Sequence, residues 1–482
     1  MHLTWADYLV IGGYLLAITA FGSWFARFQK TTRDYFLTDR SVPWWAVCFT
    51  VVATETSTLT FIGIPASAYA GNMTFLQLAL GYVIGRLIVS LLFIPAYFRG
   101  DLFTSYELLQ QRFGTRVKTL SAVIFLITRS LADGIRLFAT ALVIAVVTSI
   151  PVTWVVIILG AAMIVYTVRG GVSAVIWTDV VQMFVYIAGA AAVALSLLAR
   201  IPGGWPEVVA AGRAAGKFVV LDASFDPSRA YTLWAGVFGG IALTLATHGT
   251  DQFLVQRLLS ARSAREASRG LILSGFIVFA QFVVFLLIGV MLFVYYQHTP
   301  LPQPLSRTDE ILPVFVVSAL SHGLAGFIVA AIVAAALSPS LNAMAATTVN
   351  DFYLRYLRPD ADQETQMRVS RQATIGWGIV QLGVALGAQW MDRSVLDAGL
   401  AVLSFASGAV LGAFLLGTLL PRTSERDALV GMIVGLVTMT IVWAWTPVAF
   451  TWYVFIGAVT TCLVAWLLSL SSAANAAGDV AA

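Results

Sequence analysis

Long apolar segments joined by short polar connections run through the whole chain. Each segment is close to the roughly 20 apolar residues that a transmembrane helix needs. Each is also too continuous for the roughly ten-residue alternating strands of a membrane β-barrel. The pattern therefore predicts an all-α polytopic membrane protein with about 13 transmembrane helices. The predicted spans are residues 8–28, 43–70, 75–98, 119–148, 152–168, 172–199, 231–252, 271–296, 311–348, 372–391, 396–420, 427–446 and 449–470.

The composition agrees with a membrane protein. Of the 482 residues, 59% are hydrophobic and 11% are charged, well below the roughly 25% charged residues of soluble domains. The longest polar connections, 200–230 and 349–371, are too short for an enzyme domain. We therefore expect one transmembrane domain over residues 1–482, ending in a disordered tail at 471–482.

The placement of basic residues predicts an orientation. If the predicted helices alternate in direction, most of the 28 Lys and Arg residues fall in loops on one side, among them Arg257. The positive-inside rule then places the N-terminus outside and the C-terminus in the cytoplasm of a cell (inner) membrane. Because topology explains the basic loops, no nucleic-acid partner is expected. The expected partners are the lipid bilayer and a small-molecule solute, with the chain a monomer or weak homo-oligomer.

The second predicted span carries an unusual polar cluster, "VVATETSTLTF" at 51–61. Five hydroxyl side chains and Glu55 lie between Thr54 and Thr60, where an apolar helix core would be expected. An interrupted helix there would free carbonyl oxygens, and non-helical backbone is tolerated at membrane depth only where it lines a cavity or is buried in protein. An intramembrane carboxylate is a functional-site hypothesis by default. The alternative is that the hydroxyls bond back to their own helix and an arginine neutralises Glu55.

A similar interruption is predicted in the seventh span, at "TLATHGTDQF" (244–253). Gly249 is a candidate helix breaker, and His248 and Asp251 are titratable. If the first span is peripheral, the two interrupted helices are the first and sixth of the rest, as an inverted-repeat transporter requires. The sequence thus predicts a core of 43–199 and 231–420, flanked by the peripheral helix 8–28 and the peripheral helices within 427–470.

Other charged residues lie inside predicted spans. Arg129, Asp133 and Arg136 share one helix face, so they can pair locally. Asp179 has no obvious local partner, which favours a role in ion handling. Pairing of Asp179 or Glu55 with Arg86 or with the Arg129 cluster remains the structural alternative.

Six motifs in order resemble the sodium:solute symporter family, which includes sodium–glucose, sodium–proline, sialic-acid, iodide and monocarboxylate carriers. The resemblance covers about residues 8–420 and implies a LeuT-type five-plus-five inverted repeat that works by alternating access. The motifs are "DYFLTDRSVPWW" (34–45), the "FIG" ending at Gly63, "FTSYELLQQRFG" (103–114), "RGGVSAVIWTDVVQ" (169–182), "GTDQFLVQRLLSARSAREA" (249–267) and "LNAMAATTVNDFY" (341–353).

The resemblance implies a sodium site and a solute pocket at the polar cluster. Carbonyl oxygens of Ala53 and Thr56 would bind Na⁺, and Asp179 matches an aspartate thought to lie on the sodium release path. The candidate solute-binding residues are Glu55, Ser57, Thr60, Thr247, His248 and Asp251.

The eighth core helix departs from the family pattern of two adjacent hydroxyl residues. Counting back from Leu341 places the pair on Ala335 and Ala336, whereas counting forward from "AAIVAAA" places it on Ser338 and Pro339. The candidate sodium ligands are therefore Ala53, Thr56, Ala335, Ser338 and Asp179. The departure leaves open a proton-coupled or uncoupled carrier of the same fold, or a non-transporting sensor.

The predicted function is secondary active import of a small solute with Na⁺ as the coupling ion. Thr247 stands where sugar carriers of the family have an aromatic gate, so a hexose is disfavoured. The "NAMAA" run resembles the iodide and monocarboxylate branch, which suggests a small organic anion such as a monocarboxylate. Arg86, Arg129 or Arg136 would then meet the anion. An enzyme is not expected, because metal-ligand spacings, a Gly-rich phosphate loop and a nucleophile elbow are all missing.

Overall fold

The computed structural model describes most of the chain. The described residues are 3–24, 36–100, 102–302, 304–334, 340–391, 394–420 and 422–481, without the side chains of 39, 166, 169–171 and 471–481. Helices dominate this part of the chain, as the hydrophobic pattern predicts. The helices up to residue 214 are α1 (Trp5–Trp24), α2 (Trp44–Glu55), α3 (Thr58–Ala70), α4 (Leu76–Leu92), α5 (Ile94–Tyr97), α6 (Tyr106–Arg112), α7 (Thr115–Thr148), α8 (Val152–Arg200) and α9 (Gly204–Ala214).

The remaining helices complete the architecture. They are α10 (Leu233–Gly249), α11 (Gln252–Leu259), α12 (Ala264–His298), α13 (Ile311–Ala319), α14 (Leu324–Ala334), α15 (Leu341–Thr347), α16 (Gln363–Gly387), α17 (Val395–Leu419), α18 (Glu425–Trp445) and α19 (Tyr453–Ala481). A π-helix, Thr348–Leu357, continues α15. Short 3₁₀ turns occur at Thr38–Arg40, Thr308–Glu310, Ala388–Trp390 and Phe450–Trp452. Helix α19 is assigned through Ala481, into the tail expected to be disordered.

Fewer helices pass as membrane spans than the sequence predicts. In the described part of the chain, eight helices are long and apolar enough to cross a membrane, and the bent pair α2–α3 raises the number to nine. The shortfall arises because several predicted spans are shorter or divided helices. The predicted spans 152–168 and 172–199 form a single helical element, Val152–Arg200, with no intervening loop.

The structure describes three helices within the predicted span 311–348, namely α13, α14 and α15, and α13 and α14 are separate helices. Gly323, before α14, has a φ of +83°, a conformation that glycine adopts without strain. The buried carboxylate of Asp7 accepts hydrogen bonds from the N–H groups of Gly323 (2.6 Å) and Gly326 (2.9 Å). A residue of the peripheral helix α1 thus holds the start of α14, and hydropathy alone does not reveal such a long-range contact.

The first predicted interruption is present, and its hydrogen bonds explain it. Helices α2 and α3 form a bent pair with an angle of 59°. The N–H of Ser57 donates to the carbonyl oxygen of Glu55 at 2.9 Å, so the carbonyl of Ala53 loses the helical partner it would otherwise have. The Thr60 hydroxyl also donates to the Glu55 oxygen, at 3.1 Å. Hydroxyl side chains therefore replace part of the missing helical bonding.

The second predicted interruption lies between α10 and α11. The N–H groups of Thr250 and Asp251 both donate to the carbonyl of Ala246, and the carboxylate of Asp251 accepts from the N–H of Phe253 at 2.8 Å. Gly249 is the last residue of α10, and its position has no room for a side chain, since a Cβ there would lie 2.6 Å from the Phe93 ring. The aspartate N-cap therefore begins the second half-helix.

Candidate functional site

A central cavity of about 110 Å³ lies between the two broken helices. Its walls come from the α2–α3 break, from α10 and α11, and from α4, α7, α12 and α17. Among the lining residues are five of the six candidate solute-binding residues: Glu55, Ser57, Thr60, Thr247 and His248. Asp251 does not line the cavity; it forms an ion pair with Arg129, which does.

Glu55 is neutralised by a buried arginine. Its carboxylate forms an ion pair with Arg86, which is fully buried. The Nε2 atom of His248 lies 3.2 Å from an Arg86 nitrogen and 3.5 Å from a Glu55 oxygen. Since Nδ1 of His248 lies 2.9 Å from the Thr247 hydroxyl, four side chains form one network. Pairing with Arg86, the structural alternative from the sequence, is present, and Glu55 still faces the cavity.

A second network lies on α7. Asp133 is 3.7 Å from both Arg129 and Arg136, the local pairing that their spacing predicts. Neither carboxylate oxygen of Asp133 has a hydrogen-bond partner in the described structure. Arg129 is held more closely by Asp251. Asp133 therefore balances two guanidinium groups without binding either one tightly.

Asp179 belongs to a third buried network. Its carboxylate accepts a hydrogen bond from the Thr50 hydroxyl at 2.6 Å and lies 3.2 Å from the guanidinium of Arg257. Arg257 also donates from Nε to the Thr50 hydroxyl oxygen at 3.1 Å. The placement of Arg257 in a cytoplasmic loop was wrong: the residue lies in α11 and is 3% exposed. The α10–α11 break starts a new helix that carries Arg257 inward, and the hydropathy pattern did not show this.

Phe253 connects the second and third networks, and sequence reasoning did not single it out. The guanidinium groups of Arg257, Arg129 and Arg136 lie 4.3, 4.7 and 6.0 Å from the centre of its ring. The negative face of an aromatic ring attracts cations at such distances. The one available signal was an aromatic residue directly after the predicted break.

The first half of the candidate sodium site has suitable backbone geometry. The carbonyl of Ala53 is released at the break, and Thr56 has φ −79° and ψ 79°, outside the helical region. The Thr58 hydroxyl donates to the carbonyl of Ile332 at 3.1 Å, which places α14 beside the break. Ala335 and Ser338, together with Ala336 and Pro339, lie outside the described residues.

The segment before α6 is anchored to the second break. Gln252 accepts from the N–H of Ser105 at 2.7 Å and donates to the carbonyl of Phe103 at 2.9 Å. The Ser105 hydroxyl donates to the carbonyl of Thr250 at 2.9 Å. Next to it, Thr104 donates to Asp351 of the π-helix at 3.1 Å. The start of α11 and the end of the α15–π-helix element are thus linked through one short segment.

Known proteins are similar to this chain in sequence and in fold. A model of the sodium:solute symporter family matches residues 35–435. The sodium/sialic acid symporter NanT of Aliivibrio fischeri is 31% identical over 96% of this chain and 92% of its own length. The sodium-coupled monocarboxylate transporter 2 of Mus musculus is 29% identical over 89% of this chain and 71% of its own. A solved structure of a Na⁺-coupled sialic acid symporter, in a substrate-bound outward-open state, superposes with a TM-score of 0.90 at 28% identity, covering 97% of this chain and 98% of that one.

These similarities decide the class of protein and the coupling ion. The family match covers most of the chain, and the named relatives are transporters, not enzymes. They do not single out a monocarboxylate, because NanT and the solved structure handle sialic acid. The chain belongs to the sodium:solute symporter family and is a multi-pass, sodium-coupled secondary transporter.

Proposed function

We propose that the protein imports a small organic anion with a carboxylate group, such as a monocarboxylate, driven by the sodium gradient. Sialic acid and monocarboxylates, the solutes of the named relatives, share a carboxylate group. The proposed orientation has the N-terminus outside and the C-terminus in the cytoplasm, and the proposed assembly is a monomer or a weak homo-oligomer.

The observation that carries this proposal is the state of Arg136 at the cavity wall. The three buried arginines around the site, Arg86, Arg129 and Arg257, each have a carboxylate partner within hydrogen-bond distance. The nearest carboxylate described for the partly exposed Arg136 is Asp133 at 3.7 Å, shared with Arg129. Among the described residues the Nε of Arg136 has no hydrogen-bond partner, as is also true of the Nε atoms of Arg86 and Arg129. Arg136 therefore retains donor capacity for a carboxylate, which a guanidinium can bind in a bidentate manner.

The N-terminus of α3 adds positive potential at the same place. The N-cap Ser57 makes no side-chain capping bond, and helix N-termini carry partial positive charge. Thr140, one turn beyond Arg136 on α7, donates to the Thr58 hydroxyl at 2.9 Å. Helix α7 thus packs against the start of α3, and both Arg136 and Ser57 line the cavity. Discontinuous helices of transporters commonly direct such N-termini at anionic solute groups.

Sodium would bind on the other side of the break. In this proposal the carbonyls of Ala53 and Thr56 form one half of the site, residues 335–338 form the other half, and Asp179 lies on the release path. Bound Na⁺ would favour the conformation that receives solute, since a ligand shifts a conformational equilibrium only by its differential affinity. Reciprocity then requires the solute to raise Na⁺ affinity as well.

A charge-matched uptake assay tests the anion proposal. Proteoliposomes with an inward Na⁺ gradient are given radiolabelled N-acetylneuraminate or 3-phenylpropionate, and unlabelled neutral amides of the same acids serve as competitors. We expect at least one acid to be taken up and the amides to compete poorly. Arg136→Gln should abolish uptake, whereas Arg213→Gln, in an exposed position, should not affect it. Amides that compete as well as their acids would contradict an anionic solute.

Sialic acid itself is the second candidate solute. It is favoured by the near full-length match to NanT and by the structural superposition. The same assay distinguishes sialic acid from simpler acids. If sialic acid is the solute, N-acetylneuraminate should be taken up in preference to 3-phenylpropionate.

A further inference from the structure

The residues that line the cavity limit the chemical class of the solute further. We infer that the carboxylate solute has an apolar body, as in an arylalkyl or branched-alkyl monocarboxylate, and is not a polyhydroxylated sugar acid. This inference rests on the proposed function and names the substrate class of the same site. It depends on which polar groups of the lining remain free and on what forms the rest of the wall.

Three of the six hydroxyl side chains that line the cavity donate their protons within the protein. All three acceptors are backbone carbonyl oxygens. Thr54 donates to that of Thr50 at 2.7 Å, Thr60 donates to that of Glu55 at 3.1 Å, and Thr247 donates to that of Leu243 at 2.8 Å. Glu55 and Arg129 are held in ion pairs. These groups are therefore already engaged within the protein, which limits the number of donors that a solute with many hydroxyl groups could use.

A few polar groups of the lining remain available to the solute. Ser57 lies at the α2–α3 break and Arg136 lies on α7; both line the cavity, and the anionic end would bind near them. The Thr244 hydroxyl, on α10, has no hydrogen-bond partner in the described structure. Binding sites for small molecules commonly combine a mostly apolar lining with a few such placed polar groups.

Aromatic rings form one apolar wall. Phe282 of α12 packs edge-on against Phe75, with ring centres 5.3 Å apart and an angle of 81° between the rings. It also packs against Tyr82 of α4 at 6.2 Å and 59°. All three rings line the cavity. Their outer side is fixed by Tyr231, which packs on Phe75 at 5.1 Å and donates to Asp397 at 2.8 Å.

Leucines of α17 form another apolar wall. Leu396, Leu400 and Leu403 line the cavity, and their spacing places them on one helix face. Gly399, between them, lies so close to Leu59 of α3 that an added Cβ would be 2.8 Å from its side chain. Buried hydroxyl groups of a sugar acid would face these walls without partners, which is unfavourable. An apolar body would instead gain from leaving water.

A ranking of matched carboxylates tests the inference. The melting temperature of the purified protein in Na⁺ is titrated with 3-phenylpropionate, 4-methylpentanoate, gluconate and N-acetylneuraminate, with 3-phenylpropanamide as the neutral probe. We expect the apolar acids to stabilise the protein at concentrations roughly tenfold lower than the sugar acids. Equal or better stabilisation by gluconate or N-acetylneuraminate would overturn the inference.

The neutral probe separates the two proposals. If the amide stabilises as well as 3-phenylpropionate and both exceed the sugar acids, the apolar body stands and the anion proposal fails. If every carboxylate acts equally, the anion proposal stands and the apolar body fails. If neither apolar acid stabilises the protein, the apolar body is likewise refuted.

Variants on the leucine wall give an independent test. Leu400→Ser should raise the concentration of 3-phenylpropionate needed for half-maximal stabilisation about tenfold, with a smaller effect on gluconate. Leu419→Ser is the matched control, because Leu419 is 56% exposed at the far end of the same helix. If Leu400→Ser does not fold, Leu403→Ser provides the same comparison. Equal loss for both acids would contradict an apolar contact with the solute.

Discussion

The carboxylate of Asp179 on α8 lies 3.2 Å from the guanidinium of Arg257 on α11, and both side chains are buried. The pair joins a residue with an expected role in sodium release to the second broken helix. Removing one member of a buried ion pair leaves an uncompensated charge, which typically costs about 3–5 kcal/mol. The geometry therefore predicts strong energetic coupling between these two positions.

A double-mutant cycle measures that coupling. We predict that Asp179→Asn or Arg257→Gln alone lowers the free energy of unfolding by several kcal/mol, at the scale of about 3–5 kcal/mol. The double variant should recover a substantial part of the loss, measured by unfolding in detergent. Strictly additive losses would show that the pair is not coupled. The double variant also has no unpaired charge at this position, so Na⁺-dependent uptake can be measured in it. This measurement tests the proposed ion role of Asp179.

The crossing of α4 and α10 makes a second prediction. A Cβ at Gly81 would lie 2.7 Å from the carbonyl oxygen of Gly236 and 2.8 Å from the Cα of Gly240. Backbone atoms cannot move aside as a flexible side chain can, so Gly81→Ala should destabilise the protein by at least about 1–3 kcal/mol.

The matched control for this substitution is Gly383→Ala on α16. A Cβ there has open space within 4 Å, and alanine favours the helix over glycine by up to about 1 kcal/mol. Gly81→Ala should therefore lower the melting temperature, whereas Gly383→Ala should leave it unchanged or raise it slightly. An equal shift would show that the close approach of α4 and α10 does not limit stability.

Glu107 on the short helix α6 gives a pH prediction. Burial raises the pKa of its carboxyl from 4.5 to about 7, and Asp351 adds to the increase whereas Lys118 opposes it. The folded protein therefore holds a proton that the unfolded chain releases above about pH 4.5. By linkage, stability contributed by this protonated group declines as pH rises from about 4.5 to about 7.

Glu107→Gln isolates the effect. Glutamine keeps an acceptor for the N–H of Phe103, which donates to Glu107 at 3.2 Å, and it never ionises. The variant should match the natural protein near pH 4.5 and have the higher melting temperature at pH 8. Glu364→Gln is the control, because that side chain is 83% exposed. If the melting temperatures of Glu107→Gln and the natural protein differ by the same amount at every pH, the raised pKa assigned to Glu107 is contradicted.

Sequence patterns predicted the broken helices because the cause is local. A cluster of hydroxyls around Glu55 and the polar run after Thr247 are each visible in a short window, and each supplies its own replacement hydrogen bonds. The family motifs likewise lie in continuous segments. Local chemistry was therefore sufficient to place the cavity between residues 53–60 and 244–253.

Long-range partners could not be read from the sequence in the same way. Arg257 follows a break whose turn carries it inward to Asp179, and only the tertiary structure shows that direction. The start of α14, within the predicted span 311–348, is bound by Asp7, more than 300 residues away. Phe253 lies against three guanidinium groups because α7, which carries Arg129 and Arg136, packs beside α11, which carries Phe253 and Arg257.

The most direct measurement is the melting temperature of the purified protein in NaCl and in choline chloride, each with and without 3-phenylpropionate or N-acetylneuraminate. A ligand that binds the folded state raises its apparent stability, and coupled ligands strengthen each other's binding. We predict that Na⁺ raises the melting temperature and that at least one carboxylate raises it further in Na⁺ than in choline. Identical melting temperatures in both salts, with no carboxylate effect in either, would contradict a sodium-coupled carboxylate site at the broken helices.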